Sequence, residues 1–192
     1  MAYYEDILTV IKHPVIPTVN PIVGYNPSSA LIAKVCNRFR QVISVNVKAC
    51  HAYLLNLMAA VDHEISYAGD DLPPSLNAFG FGVTGITGRE TNIVPKTHRR
   101  YLDLYEAGNL SELAAVYTGL TRFGQYLSKW QPAQARPVKM AMHVLKLPGG
   151  KGGLRTPYLM PGREELETFK DGLLRLGLPE IEELARAAGL RS

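Results

Sequence analysis

Short apolar runs rich in β-branched residues alternate along the first half of the chain with stretches whose apolar residues recur every three or four positions. This alternation leaves few folds open. Tyr4, Ile7, Leu8 and Ile11 share one helical face, and an extended apolar run from Pro14 to Thr18 follows, stopping at Asn20-Pro21. Pro27-Ser28-Ser29 opens a second helix, with Leu31, Ile32, Val35 and Phe39 at helical spacing and a serine available as cap. A strand from Val42 to Lys48 comes next, then a helix around Leu54 to Val61 and a strand from Glu64 to Ala68 that stops at Gly69-Asp70-Asp71. A helix to Phe79 and a strand from Gly82 to Ile86 complete the series. Strands joined through helices return parallel to one another, so right-handed βαβ units and a parallel sheet are expected.

From Val94 onward the pattern is helical only: to Ala107, from Ser111 to about Trp130, Val138 to Leu145, Arg163 to Leu176, and a last helix after Pro179. Gly108-Asn109 and the segment Leu147-Pro-Gly-Gly-Lys-Gly-Gly153 supply the stops. The class is α/β. Four βα units are half of an eight-fold barrel, whose sheet closes on itself so that no strand edge is left unpaired. The expected organisation is a partial (β/α) barrel over residues 1–107 and a helical region over 108–192, the sequence reading as the last four units of a barrel plus a C-terminal extension. An open four-stranded sheet covered by the C-terminal helices is the alternative.

At 192 residues and 46% hydrophobic composition the chain can bury a substantial core. Its apolar runs fall short of the roughly 18 residues a membrane span needs, and its start is acidic where a signal peptide would be basic. A cytoplasmic protein without membrane association is the expectation. Cys36 and Cys50 have neither disulfide-framework nor zinc-ligand spacing, and the five histidines form no HxH or HxxxH pair, so no metal is expected. The net charge is +4, but the 21 basic residues are dispersed rather than clustered with aromatics; this favours a small anionic substrate over nucleic acid. Gly80-Phe-Gly-Val-Thr-Gly85 matches GxGxxG but leads into a strand instead of following one, and Gly149 to Gly153 lacks the phosphate-loop spacing.

Lys48 ends a strand that is otherwise almost apolar. In parallel α/β folds the carboxyl ends of the strands carry the active face. Burial there disfavours the ammonium form, lowers the pKa from about 10.4, and yields the neutral amine that attacks a carbonyl. A lysine at a strand end can also snorkel to water with no chemical role. Asp70-Asp71 fits solvation or capping of the next helix.

Several segments together resemble one family. Pro14-Val-Ile-Pro-Thr-Val-Asn-Pro21 with Gly24, Val45-Asn-Val-Lys48, Tyr67-Ala-Gly-Asp-Asp71 and Gly80-Phe-Gly-Val-Thr-Gly-Ile86 resemble, in order and spacing, strands five to eight of the dihydrodipicolinate synthase and N-acetylneuraminate lyase family. Arg136-Pro-Val-Lys-Met-Ala-Met142 and Leu154-Arg-Thr-Pro-Tyr-Leu-Met-Pro161 resemble its C-terminal segments. The resemblance implies a (β/α)8 barrel, a pyruvate-type 2-keto acid held as an imine on Lys48, and aldol addition to or cleavage from an aldehyde. No cofactor beyond that covalent imine is implied. Gly69 and Asp70 would line the pocket, and Thr84 would lie beside the pyruvyl group. Family relatives are oligomers, so a homo-oligomer or association with a complementary chain is expected.

Two departures bear on turnover. Thr18 stands where the family has a proton-relaying tyrosine, and a threonine hydroxyl is shorter and far less acidic than a phenol. The Gly-Thr-Thr segment that binds the keto-acid carboxylate in the family lies in its first four βα units, which have no counterpart in this sequence. A catalytically silent relative that binds a keto acid or assembles with a partner is therefore the second reading. Arg89 could bind a carboxylate or be a solvated loop residue.

Overall fold

The computed structural model of the chain describes residues 1–20, 24–70, 78–130 and 135–190. The chain forms two compact units, Met1–Thr87 and Gly88–Ser192. The first contains α1 (Ala2–Leu8), β1 (Thr18–Val19), α2 (Ser29–Arg38), β2 (Ser44–Val47), α3 (His51–Ala60), β3 (Ser66–Asp70) and β4 (Gly85–Thr87). The strands form one sheet in the order β1-β2-β3-β4, and every pairing is parallel. An order that simply follows the chain belongs to the wall of a (β/α) barrel; a doubly wound sheet reverses direction at a switch point. The unit is thus α/β of the barrel type.

Local chemistry explains the elements. Ser28 caps α2, its side chain accepting from the Leu31 N–H. Pro14 and Pro17 cannot donate to a ladder, so the first extended run pairs only through a bridge at Val15–Val42 before β1 begins at Thr18, later than the sequence pattern predicts. The last strand is likewise shorter at its start. Phe81 and Gly82 donate back to Ala78 and Phe79, and Gly82 sits at a φ of 97°, so a turn occupies the place of the strand's predicted first residues. The predicted helix before it falls mostly on residues outside those described.

Val19, Val45, Val47 and Tyr67 are buried together with Ile32, Val35 and Cys36 of α2 and Leu54 and Leu57 of α3. Because side chains alternate across a strand, this buried set fixes the other set, Thr18, Asn46, Lys48 and Ala68, on the opposite face of the sheet.

The second unit is helical: α4 (Pro95–Glu106), α5 (Leu110–Ser128), α6 (Ala135–Val144), α7 (Arg163–Leu174) and α8 (Pro179–Ala187), with 3-10 turns at Glu90–Asn92 and Gly150–Gly152. Tyr101, Phe123, Leu127, Met140, Phe169, Leu173 and Ile181 are among its most deeply buried large side chains. α4 packs against α5 within this unit. No helix among the described residues is long and apolar enough to cross a membrane.

Candidate active site

Lys48 follows the last residue of β2, and its backbone N–H donates to the Val19 carbonyl at 2.8 Å, which continues the ladder to β1. Its side chain is half-buried and emerges from the sheet face opposite α2 and α3. Thr18, Asn46, Ala68 and Gly85 form one row across the four strands. Val19, Val47, Gly69 and Ile86 form the next, and Asp70 pairs with Thr87 in the row that Lys48 extends.

These registers place each expected site residue. Thr18 lies on the Lys48 face, two rows below it beside Asn46, and is exposed. Asp70 ends β3 in the row of Lys48, and Gly69 precedes it; a Cβ on Gly69 would lie 3.7 Å from the Val83 side chain. Thr84 lies just before β4, donating its N–H to the Tyr67 carbonyl at 2.9 Å and its hydroxyl to the same oxygen at 3.4 Å. Lys48, Thr18 and Asp70 thus share the carboxyl-terminal part of the sheet, while Thr84 enters its last strand from below. Arg89 is held by Glu90, a buried carboxylate, at 3.0 Å.

Two residues not singled out from the sequence belong to this face. The Thr87 hydroxyl donates to Asn46 Oδ1 at 3.0 Å, with the Gly69 carbonyl a longer second acceptor at 3.3 Å. Asn46 lies directly before the Val47-Lys48 pair and carries the only side-chain amide in its row. The available signal was parity: in a strand ending at Lys48, the residue two before it must share its face.

On the other side of the sheet, in the layer of α2 and α3, two groups are held neutral. Burial pushes the Cys36 thiol up to about 11, and burial followed by the nearby Tyr4, Cys36 and Tyr25 pushes the Tyr53 phenol up to about 12. Tyr53 donates its hydroxyl to the Pro27 carbonyl at 2.9 Å and so ties α3 to the segment that opens α2. Tyr25, of the Tyr-Asn-Pro segment, is 64% exposed. Among the described residues no three His, Cys, Asp or Glu side chains gather in a way that could hold a metal ion. The arrangement offers a primary amine at a strand end, flanked by hydroxyl and amide groups, with Asp70 ending the next strand in the same row. That chemistry suits covalent capture of a carbonyl.

Solved structures share the fold. YagE, a prophage protein of E. coli K12 from the dihydrodipicolinic acid synthase family solved in complex with pyruvate, is 16% identical with a TM-score of 0.80 over 92% of this chain and 60% of its own. The dihydrodipicolinate synthase of Aquifex aeolicus is 14% identical, with a TM-score of 0.79 over 92% of this chain and 60% of its own. That of Thermotoga maritima is 15% identical, with a TM-score of 0.73 over 99% of this chain and 61% of its own. The chain therefore spans about 60% of the length of the solved structures it matches. No curated protein matches it. The model of the dihydrodipicolinate synthetase family matches residues 2–175. With nearly the whole sequence matched and a sequentially ordered parallel sheet beneath it, the chain belongs to the dihydrodipicolinate synthetase family.

Proposed function

We propose that this chain carries the imine-forming part of a pyruvate-dependent aldolase or lyase, with Lys48 as the nucleophile. The observation that supports it most is the placement of Lys48: an amine at the end of β2, half-buried, on the sheet face turned away from the helices. Family membership supports the same reading.

In this reading the neutral Lys48 amine adds to the C2 carbonyl of a 2-keto acid. The carbinolamine loses water, and the resulting iminium draws electrons from C3. A base then removes a C3 proton to give an enamine, whose carbon attacks an aldehyde; cleavage runs the same steps in reverse. The amine, restored on hydrolysis, needs no metal or organic cofactor. Thr18 stands two rows below Lys48 in place of the family's tyrosine, and its hydroxyl can accept or donate a hydrogen bond but is a weak proton carrier.

The proton step is the one this substitution touches. We expect the protein to exchange the methyl protons of pyruvate for deuterium in D2O, followed by loss of the methyl signal in proton NMR, and Lys48→Ala to stop the exchange. The exposed Thr18 favours the second reading, a silent relative that forms the imine without turning it over. Imine formation without methyl exchange would select that reading, and neither imine nor exchange would contradict both.

A further inference from the structure

The face that carries Lys48 has a polar floor with a fixed orientation. Asn46 precedes Lys48 by two residues on the same strand, so both side chains rise from one side of the sheet. The Asn46 carbonyl oxygen is occupied: it accepts the Thr87 hydroxyl from β4 at 3.0 Å. Primary amides are planar, so fixing the oxygen toward β4 turns the NH2 group away from β4 and out of that bond. The two N–H donors of that group have no partner among the described residues, and the side chain is half-buried. Ala68 and Gly85, its neighbours in the row toward β4, carry no group that could satisfy them.

We infer that Asn46 is a substrate-binding residue whose amide N–H groups hold the carboxylate of the 2-keto acid captured by Lys48. The inference rests on the reading given under Proposed function and adds a residue to it. A 2-keto acid imine presents one permanent anion, its carboxylate. Lys48 is bonded to C2 in the imine, so donors from neighbouring residues are needed to fix the direction of the carboxylate. The Asn46 amide supplies two in a fixed plane, held there by the Thr87 hydroxyl, and the Thr18 hydroxyl stands beside it in the same row. The side chain thereby selects for an anionic group next to the reacting carbonyl, against simple ketones and aldehydes.

The test separates this inference from the reading it rests on. The rate of borohydride-trapped adduct formation is measured against pyruvate concentration for the wild type, Asn46→Asp and Asn46→Ser, with circular dichroism confirming that each folds. Asn46→Asp keeps the acceptor for Thr87 but replaces the NH2 donors by a second oxygen. It should raise the half-saturating pyruvate concentration by about tenfold or more, the scale of a hydrogen bond to a charged group, while the rate at saturation changes far less. Asn46→Ser should fall between. Acetone or another uncharged ketone should be trapped no worse by Asn46→Asp than by the wild type. Equal pyruvate dependence in a wild type and variants that all form the adduct would overturn the role of Asn46 alone. No adduct in the folded wild type would overturn the underlying imine reading instead.

Discussion

Lys48 and Cys36 are two reactive groups that the same sheet treats in opposite ways. The Cys36 side chain is turned into the layer between α2 and the strands and is fully buried, which pushes its thiol up to about 11 from an ordinary value of 9.0. Cys50, just before α3, is exposed. Iodoacetamide at pH 8 should therefore label Cys50 alone in the folded protein and both cysteines in urea, read by peptide mass; labelling of Cys36 under native conditions would contradict its burial. The same shift has a sign in stability. Below pH 9 the folded and unfolded chains both hold the thiol proton, and between about 9 and about 11 only the folded chain keeps it. Stability must then fall as pH rises through that window, with Tyr53 and Tyr67, each pushed up to about 12 by burial, adding to the fall at its upper end and beyond. At this scale the sequence exposed Lys48 plainly, because a charged residue closing an apolar strand breaks the pattern. It concealed the Asn46–Thr87 bond, since a contact between strands that are not adjacent depends on a register no local pattern reveals.

Helices of the second unit are fixed by long-range groups as much as by their own periodicity. Glu180, in the first turn of α8, is buried; one carboxylate oxygen accepts the Lys96 N–H at 3.0 Å and the other accepts the Thr97 N–H at 2.7 Å and its hydroxyl at 2.6 Å. A residue that reads as an ordinary acidic first-turn position thus also satisfies the amino end of α4. The glycine-rich segment that stops α6 is a packed turn. A Cβ on Gly150 would lie 2.4 Å from the Met142 carbonyl, and the Lys139 ammonium donates to the Gly149 carbonyl at 2.9 Å. Packing at the centre of this unit makes a direct prediction. Leu173 of α7 is fully buried, and Trp130 packs its ring 5.3 Å from that of Phe169 one turn earlier on the same helix. Leu173→Ala should cost about 2–5 kcal/mol in urea unfolding followed by Trp130 fluorescence. A loss below about 1 kcal/mol would mean that the cavity collapses or that Leu173 is not central to the packing.

For the whole chain, the α/β class, the parallel sheet and the sequence of strands were legible because the apolar runs are bounded by breakers, and α2 and α3 separate β1, β2 and β3, which forbids hairpins between them. Strand ends were less so. Both β1 and β4 begin later than their apolar runs suggest, one delayed by prolines that cannot donate and the other by a turn at Gly82. The proposed function turns on one bond, the imine between the Lys48 amine, at the carboxyl end of β2, and a 2-keto acid. That bond can be trapped: the full chain is incubated with pyruvate, reduced with borohydride, weighed intact and mapped by peptide. One added pyruvyl group per chain is expected, on Lys48 and nowhere else, and none in Lys48→Ala. An unmodified mass for the folded wild type, or an adduct spread over surface lysines and retained in Lys48→Ala, would contradict the imine reading.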